Sequence, residues 1–265
     1  MKIKMSGVIS GFILPAVILA LIFSSIGCGK RDGVHKKYYP NGKIKYEKSY
    51  RNGELEGLIK AYYENGQLEN EASFKNGKQE GLVKTYYENG QVKSEVVFRD
   101  GNQDGLAKFY YENGRLESEG FFKDGKQEGQ VKVYYEKGQL KGDEVFKEGK
   151  PDGIAKGYYE DGQLKSEAVY KEGKQDGLVK FYYENGQLKS EANYKNGKAN
   201  GLSKTYYKIG KLQEEAVFDG GEPNVATVKA YYENGVLKGE AVFKDGKPVA
   251  GTLKQYDENG KLKGV

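Results

Sequence analysis

The sequence predicts an all-β protein, an elongated single-layer antiparallel β-meander of about ten 24-residue hairpin repeats. Three observations predict it. A tyrosine pair recurs at Tyr38/Tyr39, Tyr62/Tyr63, Tyr86/Tyr87, Tyr110/Tyr111, Tyr134/Tyr135, Tyr158/Tyr159, Tyr182/Tyr183, Tyr206/Tyr207 and Tyr231/Tyr232, with a single Tyr256 marking a tenth copy. The period is 24 residues, stretched to 25 at the last two steps. Asn-Gly follows most pairs, as at Asn185-Gly186, and this dipeptide favours hairpin turns because Gly takes φ > 0 without a Cβ clash. The flanking segments, such as Leu178–Tyr183 and Gln187–Tyr194, are short and rich in Tyr, Phe, Val and Leu, as strands are. A second turn, at Lys195-Asn196-Gly197, carries each hairpin into the next.

The unit also predicts its own register. A two-residue loop at Asn65-Gly66 sets Tyr63 against Leu68, Lys60 against Glu71 and Ile59 against Ala72. Side chains alternate along a strand, so one face carries Ile59, Ala61, Tyr63, Leu68, Ala72 and Phe74. The other carries Leu58, Lys60, Tyr62, Glu69 and Glu71. The cross-strand ion pair recurs as Lys84–Glu95, Lys108–Glu119, Lys180–Glu191, Lys204–Glu215 and Lys229–Glu240. About 19 strands at roughly 4.8 Å spacing would extend on the order of 90 Å.

The first 27 residues differ from the rest. Lys2 and Lys4 precede an uncharged apolar run from Gly7 to Ile26, the form of an export signal. It ends in Ser24-Ser25-Ile26-Gly27-Cys28, which resembles the lipobox of bacterial lipoproteins. That resemblance implies cleavage after Gly27, lipidation of Cys28 and anchorage in the cell envelope. Gly29 is not the Asp that holds such lipoproteins at an inner membrane, which implies the outer membrane where a cell has two. The alternative is an uncleaved spanning helix, since roughly 20 apolar residues can cross a bilayer. Residues 28–37 read as a short basic linker and 38–265 as the repeat array. Glu222-Pro223-Asn224 and Lys247-Pro248-Val249 sit where the period stretches and read as one-residue loop insertions.

Composition narrows the function. Cys28 is the only cysteine, so no intrachain disulfide is possible. Hydrophobic residues make up only 37% of the chain, but 23 Tyr and 11 Phe at fixed positions argue for order. Removing Lys2 and Lys4 lowers the net charge from +5 to +3, with acids and bases interleaved, which argues against a phosphate-binding surface. Each Lys beside a tyrosine already faces a Glu, which argues against stacked single-stranded nucleic acid.

The pattern Gly-x-x-x-x-Tyr-Tyr-x-Asn-Gly-x-Leu-x-x-Glu-x-x-Phe/Tyr-x-x-Gly resembles the bacterial variant of the MORN repeat over residues 34–265. Proteins of this variant are commonly grouped as YwqK-type antitoxins, so the resemblance implies a scaffold fold and a protein toxin as one kind of partner.

No catalytic constellation is expected. Nucleophilic and metal chemistry need unlike groups converging on one point. His35, the only histidine, falls in the column of Ile59 and Val83 and reads as structural. The once-per-copy glutamates, with Asp143 filling the gap in their series, read as ion-pair partners holding copies together. No cofactor or metal is expected. The expected work is that of a membrane-tethered scaffold binding another protein along a shallow trough lined by Tyr87, Tyr111, Tyr135, Tyr159 and Tyr183. Small residues such as Ala72, Gly120, Ala168 and Ala192 would form the trough's floor, unless coiling closes it and the tyrosines are core. Toxin neutralisation and binding of a cell-wall glycan are the open alternatives.

Overall fold

The computed structural model describes residues 31–218, 226–244 and 247–263. The export segment, Cys28 and the Glu222-Pro223-Asn224 insertion lie outside these residues. The described chain is all-β, a meander of antiparallel hairpins in one sheet of 23 strands. Four strands are split by short breaks, as between Lys78–Gln79 and Gly81–Tyr86, so the 23 segments correspond to the expected 19 strands. Residues 33–37, read from the sequence as linker, belong to the array instead. They form the strand Gly33–Tyr38, paired with Ile44–Arg51.

The hairpin Gly57–Tyr62/Leu68–Lys75 shows how the register arises. Ile59 lies opposite Ala72 and Lys60 opposite Glu71, as the apolar pattern requires. The turn is not the expected two-residue loop. The Tyr63 N–H donates to the Gln67 carbonyl and the Gly66 N–H to the Tyr63 carbonyl, enclosing Glu64, Asn65 and Gly66. Gly66 supplies the positive φ of 93° that closes such a three-residue loop. Tyr62, not Tyr63, therefore faces Leu68, and a shift between Ala61 and Tyr62 restores the inner register. The extra residue of that bulge is Glu69.

The tight two-residue turn sits at the other end of the hairpin. Asn76 and Gly77 have φ of 49° and 75°, and Lys75 lies opposite Lys78. The same left-handed pair recurs at Asn196-Gly197, and with a charged first residue at Glu148-Gly149 and Glu172-Gly173.

One face of the sheet is closed. Ile59, Ala72, Val83, Val96, Ala107 and Val131 have no exposed surface and cluster with Phe74, Phe98, Phe109, Phe122 and Phe146. A flat single layer cannot bury a face in this way; register shifts such as those between Val96 and Phe98 bend the strands over it. Glycine is required at the bend. A Cβ on Gly105 (φ 136°) would come within 2.8 Å of Val97 Cβ, and one on Gly153 (φ 137°) within 3.0 Å of Val145 Cβ. Each buried Val or Ile contributes about 1.5–3 kcal/mol by leaving water.

The chain divides into two compact units, with the strand Leu140–Lys147 shared between them. The first holds the cluster just described. The second holds two smaller ones, Ala155, Ala168, Tyr170 and Val179, then Ala216, Ala226 and Val228.

A left-handed conformation costs a residue with a Cβ about 1–2 kcal/mol, less for Asn, whose side chain bonds locally. Glu148→Asn and Glu172→Asn are therefore expected each to stabilise the protein by about 0.5–1 kcal/mol. Denaturant titration checks this; an unchanged or lower midpoint for both variants would contradict the turn assignment.

Candidate functional site

In each unit the outward face carries a ladder of alternating charge. All of the expected pairs lie directly opposite across their hairpins: Lys60/Glu71, Lys84/Glu95, Lys108/Glu119, Lys180/Glu191, Lys204/Glu215 and Lys229/Glu240. The same residues also face each other between hairpins. Glu47 lies opposite both Lys36 and Lys60, Glu71 opposite both Lys60 and Lys84, and Glu191 opposite both Lys180 and Lys204. Ion-pair contacts measure 2.6 Å at Lys36–Glu47, 2.9 Å at Lys84–Glu95 and 3.1 Å at Lys254–Glu240. The Lys84 ammonium holds the Glu95 carboxyl below its ordinary pKa, and Glu95 in turn raises that of Lys84.

The two tyrosines of a pair do different work. The first donates its hydroxyl back to the ladder glutamate of the preceding copy: Tyr86 to Glu71 at 2.7 Å, Tyr110 to Glu95 at 3.0 Å and Tyr206 to Glu191 at 2.8 Å. The second donates forward to the backbone carbonyl of the next copy's first tyrosine. These bonds measure 2.6 Å for Tyr87, 2.7 Å for Tyr111, 2.7 Å for Tyr159 and 2.8 Å for Tyr183. Periodicity alone reveals the pair but not this division of labour.

The trough read from the sequence is filled. Ala72 and Ala168 have no exposed surface and Ala192 only 1%, so the expected floor is core. The rings of Tyr87, Tyr111, Tyr135, Tyr159 and Tyr183 are half-buried above it. Lysines lie over several of them, Lys93 at 5.4 Å from the Tyr87 centroid and Lys165 at 5.4 Å from Tyr159. His35 packs edge-on against Tyr50 at 5.2 Å, and its Nε2 lies 2.6 Å from the Arg31 carbonyl. Among the described residues no three His, Cys, Asp or Glu side chains converge on a metal position.

Sequence reasoning missed an apolar stripe on the ladder face. Leu58, Leu82, Leu106 and Phe121 in the first unit, and Ile154, Leu202 and Val217 in the second, are each 41–52% exposed. Leu106 lies directly opposite Phe121, Leu82 opposite Val97 and Leu202 opposite Val217. The signal was present in the alternation, which places Leu58 beside Lys60 on the polar face.

Burial, then the bond to a glutamate, pushes Tyr86, Tyr110, Tyr206 and Tyr231 up to about 12 from 10.0. A folded-state pKa above the unfolded one gives stability that is complete below pH 10 and lost as pH rises through about 12. Alkaline unfolding is therefore expected within that window, coincident with tyrosinate absorbance. Replacing Tyr86 and Tyr110 with Phe should shallow the loss. An alkaline limb unchanged in this double variant would assign it to other groups.

Comparison with known proteins follows the same repeat. The sequence matches the MORN repeat variant at residues 31–52, 55–76, 79–100, 103–124, 127–148, 151–172, 175–196, 225–245 and 251–265. The copy between 196 and 225 escapes the match, yet its Leu202/Val217 and Lys204/Glu215 pairs keep the common register. No curated protein matches. Among solved structures, "Crystal Structure of TcdB2-TccC3-Cdc42" is similar at 12% identity and a TM-score of 0.19, over 84% of this chain and 14% of that one. "Crystal Structure of TcdB2-TccC3 without hypervariable C-terminal region" is similar at 10% identity and 0.20, over 85% and 16%. With hairpin copies matched from residue 31 to 265, the chain belongs to the MORN repeat variant family and is a repeat scaffold.

Proposed function

We propose that this scaffold is tethered at a membrane through Cys28 and docks another protein along the outward face of its sheet. The observation that carries the reading is the recurring apolar stripe. Leu106 and Phe121 are each 45% exposed and sit side by side on a face otherwise made of Lys, Glu and Tyr. Contiguous apolar surface rimmed by polar groups is what a protein partner buries. We place the contact here instead of on the tyrosine row. The hydroxyls of Tyr87, Tyr111, Tyr159 and Tyr183 are already committed to the next copy, and the floor beneath them is closed.

A triple variant, Leu82→Ser, Leu106→Ser and Phe121→Ser, tests the surface. Exposed substitutions of this kind change stability by about 0.5 kcal/mol or less each, so the fold should persist. A partner identified by mass spectrometry after affinity capture from envelope extracts should bind the purified variant at least tenfold more weakly. Unchanged affinity in the folded variant overturns the docking surface. A captured toxin would specify an antitoxin role, and capture of peptidoglycan with no protein would replace the reading with glycan binding.

The tether is tested separately. Cys28→Ser should abolish palmitate incorporation and release the chain from membranes, because stable anchoring takes two or more acyl chains at about 0.8 kcal/mol per buried CH₂. Unchanged labelling would favour a spanning segment over a lipid anchor.

A further inference from the structure

The copies are near-equivalent, so a residue that departs from its column marks a position doing something its counterparts do not. One such departure is Glu214. In most other copies the corresponding residue is small or an amide, as at Asn70, Ser94, Ser118, Ser166 and Ser190, while the first copy carries Tyr46. At 214 it is a carboxylate set opposite Thr205 on one side and Ala230 on the other. Its Oε1 is shut off from solvent and has no hydrogen-bond partner.

Glu214 opens onto a cavity of about 670 Å³ in the second unit, lined also by Tyr207, Tyr231, Tyr232, Phe243 and Tyr256. That volume suits a small organic ligand. Three other charged residues line the wall, Lys238, Glu240 and Lys263, and two of them have contacts of their own. Glu240 accepts from the Lys254 ammonium at 3.1 Å, and the Lys238 ammonium lies over the Tyr232 ring at 5.5 Å. The Tyr231 hydroxyl is engaged with Glu215 at 2.8 Å and the Tyr232 hydroxyl with the Tyr256 carbonyl at 2.9 Å, so these tyrosines offer chiefly ring surface. Burial raises the Glu214 pKa.

We propose that this cavity binds an organic monocation, a primary amine or quaternary ammonium on a small apolar body. Glu214 supplies the counter-charge, and the tyrosine and phenylalanine rings supply the faces that attract it. A cation between a half-buried carboxylate and aromatic rings gains from both. The site lies apart from the outward stripe and does not rest on the docking reading.

Saturation-transfer NMR on the full chain tests it, with tetramethylammonium and n-butylammonium as probes and n-butanol as the neutral counterpart of the second. Both cations should receive saturation from the protein, and n-butanol should receive much less. Glu214→Ser installs the residue used at Ser94 and Ser118, so the fold is expected to tolerate it, and circular dichroism checks this. The variant should bind both cations at least tenfold more weakly. Equal binding by the folded variant overturns the assignment of Glu214. Equal binding of n-butanol and n-butylammonium overturns the cation site, and absence of binding by either cation overturns the proposal. If Glu214→Ser fails to fold, Glu214→Gln makes the same comparison with the side-chain volume retained, and the same outcomes decide.

Discussion

Each copy of this repeat is held to the next by tyrosine hydroxyls, and the rest of the architecture depends on that link. In a meander, adjacent strands already share ladder hydrogen bonds, but those bonds do not fix where the turns fall. The second tyrosine of a pair reaches forward to the carbonyl beside the next turn, at 2.7 Å from Tyr63 to Tyr86. The first reaches back to the preceding ladder glutamate, at 2.7 Å from Tyr86 to Glu71. Asn65 adds a turn-to-turn bond from its amide to the Glu88 carbonyl at 3.2 Å. Together these bonds align successive turns and keep the strand ends in step.

The charge ladder follows from this alignment. Exposed ion pairs contribute about 0–1 kcal/mol each, so the ladder is a weak source of stability. Its effect is on register. A slip of one strand by a single residue would move Lys60 away from Glu71 and expose Ile59, which has no exposed surface in the native pairing. Like charges do face one another at Lys75/Lys78, at an exposed turn where water screens the repulsion. The apolar column fixes the register, and the ladder penalises the alternatives.

The period, the hairpins and the cross-strand pairs were legible because each rests on local chemistry repeated many times. Turn type was not. Asn-Gly occurs at Asn65-Gly66 and again at Asn76-Gly77, yet only Asn76 takes positive φ. The difference lies in what each loop must satisfy. After the tyrosine pair, the Asn65 side chain accepts from the Gln67 N–H at 2.8 Å and donates to the next turn, which suits the longer loop. The closure of the inner face was also hidden, because periodicity shows which residues share a face but not whether the sheet bends over it. Position Gly105 held the clue: a glycine within a strand, where a Cβ would strike Val97, is a bend. The outward leucines were visible in the alternation, but a pattern of buried and exposed residues describes exposure only relative to the core.

A scaffold of near-identical copies separates two kinds of function. Features repeated in most copies, such as the Leu58, Leu82 and Leu106 column, suit an extended partner that gains from many weak contacts at one pitch. Features that occur once suit a ligand small enough to sit in one copy. Substitution at a buried column is costly unless the new group finds a partner, since a desolvated carboxylate without one is destabilising. Glu214 stands where Ser94 and Ser118 are almost wholly buried, and it is itself half-buried beside open volume. The repeat supplies paired strands on either side of that position. The departure from the repeat supplies the chemistry, so in a protein of this kind the exceptions to the pattern are the first residues to examine for selectivity.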